Sequence, residues 1–128
     1  MSPTISPAVP TALVAVAGAV GAVIRYRIGL AVGVRAFPWA TLGINVSGSF
    51  LLAVVLAGPM ESRWGPTVTT AVAVGLIGGY TTFSTFGYET FSLLRDDRLG
   101  AAGAYVAASL LGGLAATALG FLLGRALS

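Results

Sequence analysis

The stretch "GLIGGYTTFSTFGYETF", Gly75–Phe91, decides how this chain folds. It places paired glycines beside a run of hydroxyl and ring side chains, in a chain that is otherwise strongly apolar. By propensity "YTTFSTF" reads as a strand. An open strand in lipid leaves its backbone N–H and C=O groups unpaired, so at membrane depth this segment must be helical or else buried against protein or water. The rest of the chain settles whether it lies at that depth.

Of the 128 residues, 56% are hydrophobic and only 9% are charged, with a mean hydropathy of +0.92. An ordinary soluble domain is far more polar. A membrane-crossing helix needs about 20 apolar residues, and breaking the chain at its charged and proline-bearing segments leaves four such runs, roughly Thr11–Val32, Trp39–Leu56, Thr67–Leu94 and Leu99–Ala126. The first ten residues lack a basic start and a cleavage site, so the first run is read as a retained span. The expectation is a single all-α integral membrane domain over 1–128, with Gly75–Phe91 inside its third span.

There is no cysteine and no histidine, and both aspartates, Asp96 and Asp97, fall in the polar link before the last span. This removes thiol chemistry, disulfides and the usual zinc and nucleophile–base constellations. Neither glycine-rich stretch is followed by the Lys-Ser/Thr of a phosphate loop, and the arginines are scattered rather than clustered. Enzyme and nucleic-acid readings are therefore disfavoured.

Four spans put both termini on one side. That side carries Arg63 and Arg125, and the other carries Arg35, Arg95 and Arg98, with Arg25 and Arg27 embedded near the end of span one. So slight a bias permits insertion in both orientations and an antiparallel dimer; the plainer alternative is one orientation set by the embedded arginines. A four-helix unit encloses little room, which favours a pathway built between subunits.

In span four Gly112, Ala116, Gly120 and Gly124 recur every four residues, a spacing that lets helix backbones approach closely in lipid. Beside them Tyr105, Ser109, Gly113 and Thr117 form a mostly polar stripe, available to line a path or simply to bond carbonyls of its own helix one turn back. Span two, "FPWATLGINVSGSFLLAVVLAG", carries Asn45 deep in its apolar length, with Thr41 and Ser49 one turn either side and Gly43 and Ser47 as another close-packing pair. An amide there costs free energy unless bonded. It either faces a wet interior or glues two helices.

Gly78–Gly79, near the middle of span three, reads as a break in that helix. Such a break frees carbonyls on one side and N–H groups on the other, which makes ion sites in membrane proteins. Past it, Phe83 and Phe86 share a face, with Thr82 and Thr85 alongside and Glu89 one turn further. Phenylalanine edges are positive. Edges, hydroxyl protons and an amide N–H together suit a small anion that must shed water; the alternative is a packing kink with ordinary core phenylalanines.

"GGYTTFSTFGYET" (Gly78–Thr90), "WATLGINVSGSF" (Trp39–Phe50) and "GAVGAVIRYRIG" (Gly18–Gly29) together resemble the Fluc/CrcB family of bacterial fluoride channels. The likeness extends over the whole chain in length and span count. It implies an antiparallel, dual-topology homodimer of four-helix subunits in the inner membrane, with a broken third helix, two pores along the subunit interface and a structural sodium ion at the centre. It also implies passive fluoride export with chloride excluded, and so fluoride resistance. Carried over residue by residue, the break falls at Gly78–Thr81, and the carbonyls of Gly78 and Thr81 bind the sodium. Asn45, Phe83, Phe86, Ser84, Thr85, Tyr105 and Ser109 line the pore. Arg25 attracts anions at the vestibule, unless it snorkels to the headgroups, and Glu89 is the one candidate for a proton or hydroxide role. Tyr80 and Gly113 depart from the pattern, and Gly113 interrupts the polar stripe.

Two other classes compete. A small dual-topology multidrug exporter requires a carboxylate in span one, which has none. A non-transporting accessory subunit explains the packing stripes but asks nothing of Asn45 or the phenylalanines.

Overall fold

The computed structural model describes residues 6–128, and every regular element among them is helical. The chain runs through α1 (Ala8–Val32) and α2 (Trp39–Ala57) before reaching the third apolar run, which is assembled from pieces. These are α3 (Met60–Thr70), a π-helical segment (Ala71–Ile77), a closing turn α4 (Gly78–Tyr80) and, after two extended residues, α5 (Phe83–Arg95). The last helix is α6 (Leu99–Leu127). Three helices, α1, α2 and α6, are each continuous and apolar enough to cross a membrane. The expected third span is interrupted, so none of its pieces reaches that length alone.

Local chemistry sets the boundaries. Pro38 and Pro59 precede α2 and α3, where a missing N–H costs nothing. Gly65, at φ 85 and ψ 166, divides α3 into a loop turn and a helix that starts at Pro66. That φ is open to glycine at little cost. Between α5 and α6, Asp97 takes the left-handed conformation at φ 56. The N–H of Arg98 then donates to Leu93 O at 2.8 Å and that of Asp97 to Leu94 O at 3.1 Å, the paired bonds of a Schellman end.

The helices lie side by side with α2 at the centre. α6 packs along α2, while α1 packs on the π segment and α4. After the two extended residues the chain changes neighbour, because α5 rests against α6 and has no contact with α1. Conversely, the π segment and α4 do not touch α6. Two open clefts follow, one on each side of the break, both floored by α2.

Packing is close where the residues are small. A Cβ on Gly79 would stand 2.5 Å from Gly18 O, and one on Gly21 would run into Leu76 O and lie 2.8 Å from Tyr80 N. On the other side Ala116, Gly120 and Gly124 are buried. A Cβ on Gly124 would come within 2.9 Å of Val54 O, so the four-residue stripe of α6 is its seam with α2. Valines of α1 and leucines of α6 point outward. Small residues between helices and large ones facing out is the arrangement lipid favours, since burying leucine inside gains little there. Among side chains the compact core is a cluster of Leu93, Ala102 and Tyr105, with Phe37, Leu42 and Phe86 packed on it.

Gly21→Ala should therefore lower the thermal midpoint of the detergent-solubilised protein by several degrees, at a cost of roughly 1–3 kcal/mol for overpacking. Gly100→Ala, with nothing within 4 Å of the added methyl, should leave it unchanged, and a light-scattering melt of both variants checks the contrast.

Candidate functional site

The break lies at Thr81 (φ −81, ψ 157) and Thr82 (φ −150, ψ 115), two to three residues beyond the glycine pair on which sequence reasoning centred it. Gly78 itself stays helical at φ −62, ψ −38. Flexibility does not force a break, and Gly79 is used instead for contact with Gly18. The two β-branched threonines suit an extended backbone, and Thr82 has the side chain of an N-cap. The π segment just before it widens the hydrogen-bond ladder, as such segments often do near functional sites.

What holds the break open is Asn45. Its Oδ1 accepts from Thr82 N at 2.8 Å and its Nδ2 donates to Thr82 O at 2.9 Å, so one amide pairs both polar groups of one residue. Thr82 Oγ1 in turn accepts from Thr85 N at 3.3 Å and donates to Thr85 Oγ1 at 3.0 Å. In an unbroken helix Thr82 N and Thr85 N would bond the carbonyls of Gly78 and Thr81. Both donors are diverted to side chains. The two carbonyls named from the family pattern are thereby released from helix bonding, and Gly78 is exposed.

Neighbouring polar groups complete the frame. Arg25 Nε donates to Gly79 O at 3.3 Å, a cation at the carbonyl end of a helix, where the dipole favours it. Tyr80 OH and Ser47 Oγ lie 2.9 Å apart, which ties the last turn before the break to α2. Past the break, Glu89 accepts from Thr41 Oγ1 at 2.7 Å and from Tyr105 OH at 3.0 Å, so a carboxylate joins α2, α5 and α6.

The first cleft, about 310 Å³, lies between the π segment and α6, and Asn45, Thr82, Phe83, Phe86 and Ser109 face it. Phe83 is 82% exposed. Its ring centroid stands 5.8 Å from that of Phe86, which meets Tyr105 edge-to-face at 5.1 Å. Ser109 Oγ is buried with no hydrogen-bond partner among the described residues. The second cleft, about 560 Å³, lies between α1 and α5 and is lined by Arg25, Thr41, Thr82, Thr85 and Glu89.

The hydroxyl stripe of α6 thus resolves residue by residue. Thr117 bonds back to Gly113 O at 2.9 Å, as a purely structural hydroxyl does. Tyr105 binds Glu89, and Ser109 is left unpaired in the cleft. Ser49 likewise returns to Asn45 O at 2.7 Å, and Ser84 is exposed near Thr82. Sequence reasoning put Thr82 beside the phenylalanines without making it the pivot, and it did not pair Thr41 or Tyr105 with Glu89. The four-residue spacing of Thr41 and Asn45 was the available signal; the partners come from other helices.

Removing the amide would leave the N–H and C=O of Thr82 unpaired, at about 1–3 kcal/mol each. In Asn45→Ala, hydrogen–deuterium exchange in lipid nanodiscs should rise at least tenfold over the 80–86 segment and stay unchanged over α6.

The stretch of chain that carries this frame lies within the part that resembles known proteins. Residues 12–121 match the family described as CrcB-like protein, Camphor Resistance (CrcB). A protein of Geobacillus kaustophilus named fluoride-specific ion channel FluC 2 is 45% identical over 112 residues, spanning 84% of this chain and 87% of its own. One from Desulfitobacterium hafniense, named fluoride-specific ion channel FluC 1, is 47% identical over 103 residues, spanning 79% of this chain and 90% of its own. A Thermus thermophilus protein named fluoride-specific ion channel FluC is 42% identical over 118 residues, spanning 90% and 94%. With a family match across nearly its whole length and three helices long enough to cross a bilayer, this chain is a multi-pass membrane protein and belongs to the CrcB-like family.

Proposed function

We propose that the protein is a fluoride-selective channel of the bacterial inner membrane that exports cytoplasmic fluoride passively. The observation that carries this reading is the break at Thr81–Thr82, which opens two clefts floored by α2, one lined by Asn45, Phe83, Phe86 and Ser109 and the other by Arg25, Thr41, Thr85 and Glu89. The names of the relatives supply the ion.

Fluoride is small and holds its water tightly. A narrow route for it must replace that hydration with donors at little net cost, and bind weakly enough to release. In the first cleft the unpaired Ser109 hydroxyl is a ready donor, and Phe83 and Phe86 present rings whose edges are positive. Asn45 has a second Nδ2 proton beyond the one given to Thr82. Thr85 and Ser84 lie on the turn following the break, and Tyr105 with Glu89 marks the continuation toward the second cleft. Arg25 lends positive potential beside Gly79. Chloride, which is larger, gains less from such close donors.

The working unit in this reading is an antiparallel, dual-topology homodimer of four-span subunits with two routes along its interface. Support comes from the exposed face around the break. Phe83, Ser84 and Gly78 sit together there, and a second copy covers them better than lipid does. The near-balanced arginines of the two faces suit insertion both ways.

The donor set fits the structural sodium that the family pattern implies, because the carbonyls of Gly78 and Thr81 are those left without helix donors. The Gly78 and Thr81 carbonyls would hold such an ion, which would supply positive charge beside the break. The chain's own part is to hold those carbonyls apart from the helix, which Asn45 and Thr82 do.

Liposomes containing the purified protein should release fluoride and not chloride once an ionophore relieves the charge left behind. Phe86→Ala and Ser109→Ala should each cut fluoride efflux at least tenfold while the dimer persists on size exclusion. Unchanged efflux in both variants would reject this route, and chloride release at the same rate would reject the selectivity.

A further inference from the structure

We propose that Arg98 and Arg35 form a second anion-capture site, at the mouth of the route on the membrane face that carries the α1–α2 loop; this deepens the channel reading and rests on it. The ligand class is a small, hard monovalent anion held briefly on its way between bulk water and Glu89.

A further cavity of about 320 Å³ lies between the α1–α2 loop, the end of α5 and the start of α6. Its rim carries Arg35, Arg98 and Asp96, and its inner end is Thr41 and Glu89. Those same two residues line the cleft that reaches Arg25. The Thr41–Glu89 hydrogen bond is therefore the partition between the cleft beside the break and an opening among the loops.

The charge balance at the rim is positive. Asp96 is already engaged by Arg95, with Nε to Oδ1 at 3.2 Å, the one ion pair among the described residues. Among the described residues Arg35 and Arg98 have no acidic partner within salt-bridge distance. Each is steadied instead by a backbone carbonyl, Arg35 Nε on Val32 O at 2.9 Å and Arg98 Nη1 on Ala36 O. The Schellman turn at Asp97 sets where Arg98 begins. Every guanidinium has five N–H donors in a rigid fork, so one bond to a carbonyl leaves most of them for an anion. Arg25 is a different element of the pathway, committed to Gly79 O beside the break.

Two unpaired cations at a mouth raise the local anion concentration and the entry rate. The effect fades as salt shortens the Debye length from about 30 Å at 0.01 M to about 3 Å at 1 M. That gives the test a signature which a packing role lacks. Fluoride efflux is measured from neutral-lipid vesicles at subsaturating fluoride, at low and at high ionic strength set with an impermeant salt. Arg98→Gln and Arg35→Gln should each slow efflux about two- to fivefold at low ionic strength and match the wild type at high. Arg98→Lys should recover most of the rate at low salt.

Equal slowing of Arg98→Gln at both ionic strengths would mean that the residue only holds the loop through Ala36, and would overturn the capture role. So would wild-type rates in both glutamine variants at low salt. A wild type that carries no fluoride at all overturns the channel reading itself, which is a distinct result from a fluoride flux indifferent to these arginines.

Discussion

In the hydrocarbon of a bilayer a backbone N–H or C=O without a partner costs several kcal/mol, and this protein interrupts the helical run that packs beside its membrane-crossing helices α1 and α2. The pair of hydrogen bonds between the Asn45 amide and the backbone of Thr82 is what makes the interruption tolerable. A side-chain amide has one donor face and one acceptor face, so it can stand in for the two ladder bonds that an extended residue gives up. An ionised carboxylate in its place has no proton to donate and could not serve both. Because the amide is on α2, the central helix, the break is fixed against the rest of the bundle rather than left to move.

The architecture follows from that clamp. With the chain extended for two residues, the first half of the third span stays against α1 and the second half goes over to α6. Neither half fills the space the other leaves, which is why two clefts exist, one on each side of the break. The close glycine contacts make the rest rigid: Gly79 on Gly18 holds the first half, and Gly120 and Gly124 hold α6 to α2. Asn45 is both a helix glue and a lining residue, and the two readings left open by its position in the sequence are compatible.

The polar groups sort by their partners. Ser49, Thr90 and Thr117 return their protons to their own helices and are spent structurally. Glu89 is held by hydroxyls from two other helices, which is how a carboxylate is accommodated at depth without a cation beside it. Among the described residues the Ser109 hydroxyl has no partner, in a cleft lined by Phe83 and Phe86, and an unsatisfied buried donor is a place where a ligand or water belongs.

By itself the sequence determined the spans, the kind of solvent and the packing seams. Those are local quantities: α1, α2 and α6 begin and end within a few residues of where hydropathy and proline put them, and the four-residue stripe of Gly112, Ala116, Gly120 and Gly124 marks a helix seam by spacing alone. A break in the third span was also legible, from the conflict between strand-forming residues and an apolar setting. Its position was legible only in part, since the glycine pair put it too early and the family likeness, at Gly78–Thr81, reached Thr81 but not Thr82. Glycine permits a break but does not require one, and only the tertiary structure decided that Gly79 is consumed by contact with α1 while Thr82 meets Asn45 across 37 positions of sequence. The same holds for Thr41 and Tyr105 on Glu89, since a hydroxyl's partner on another helix depends on how the helices cross, and no periodicity within one helix encodes that.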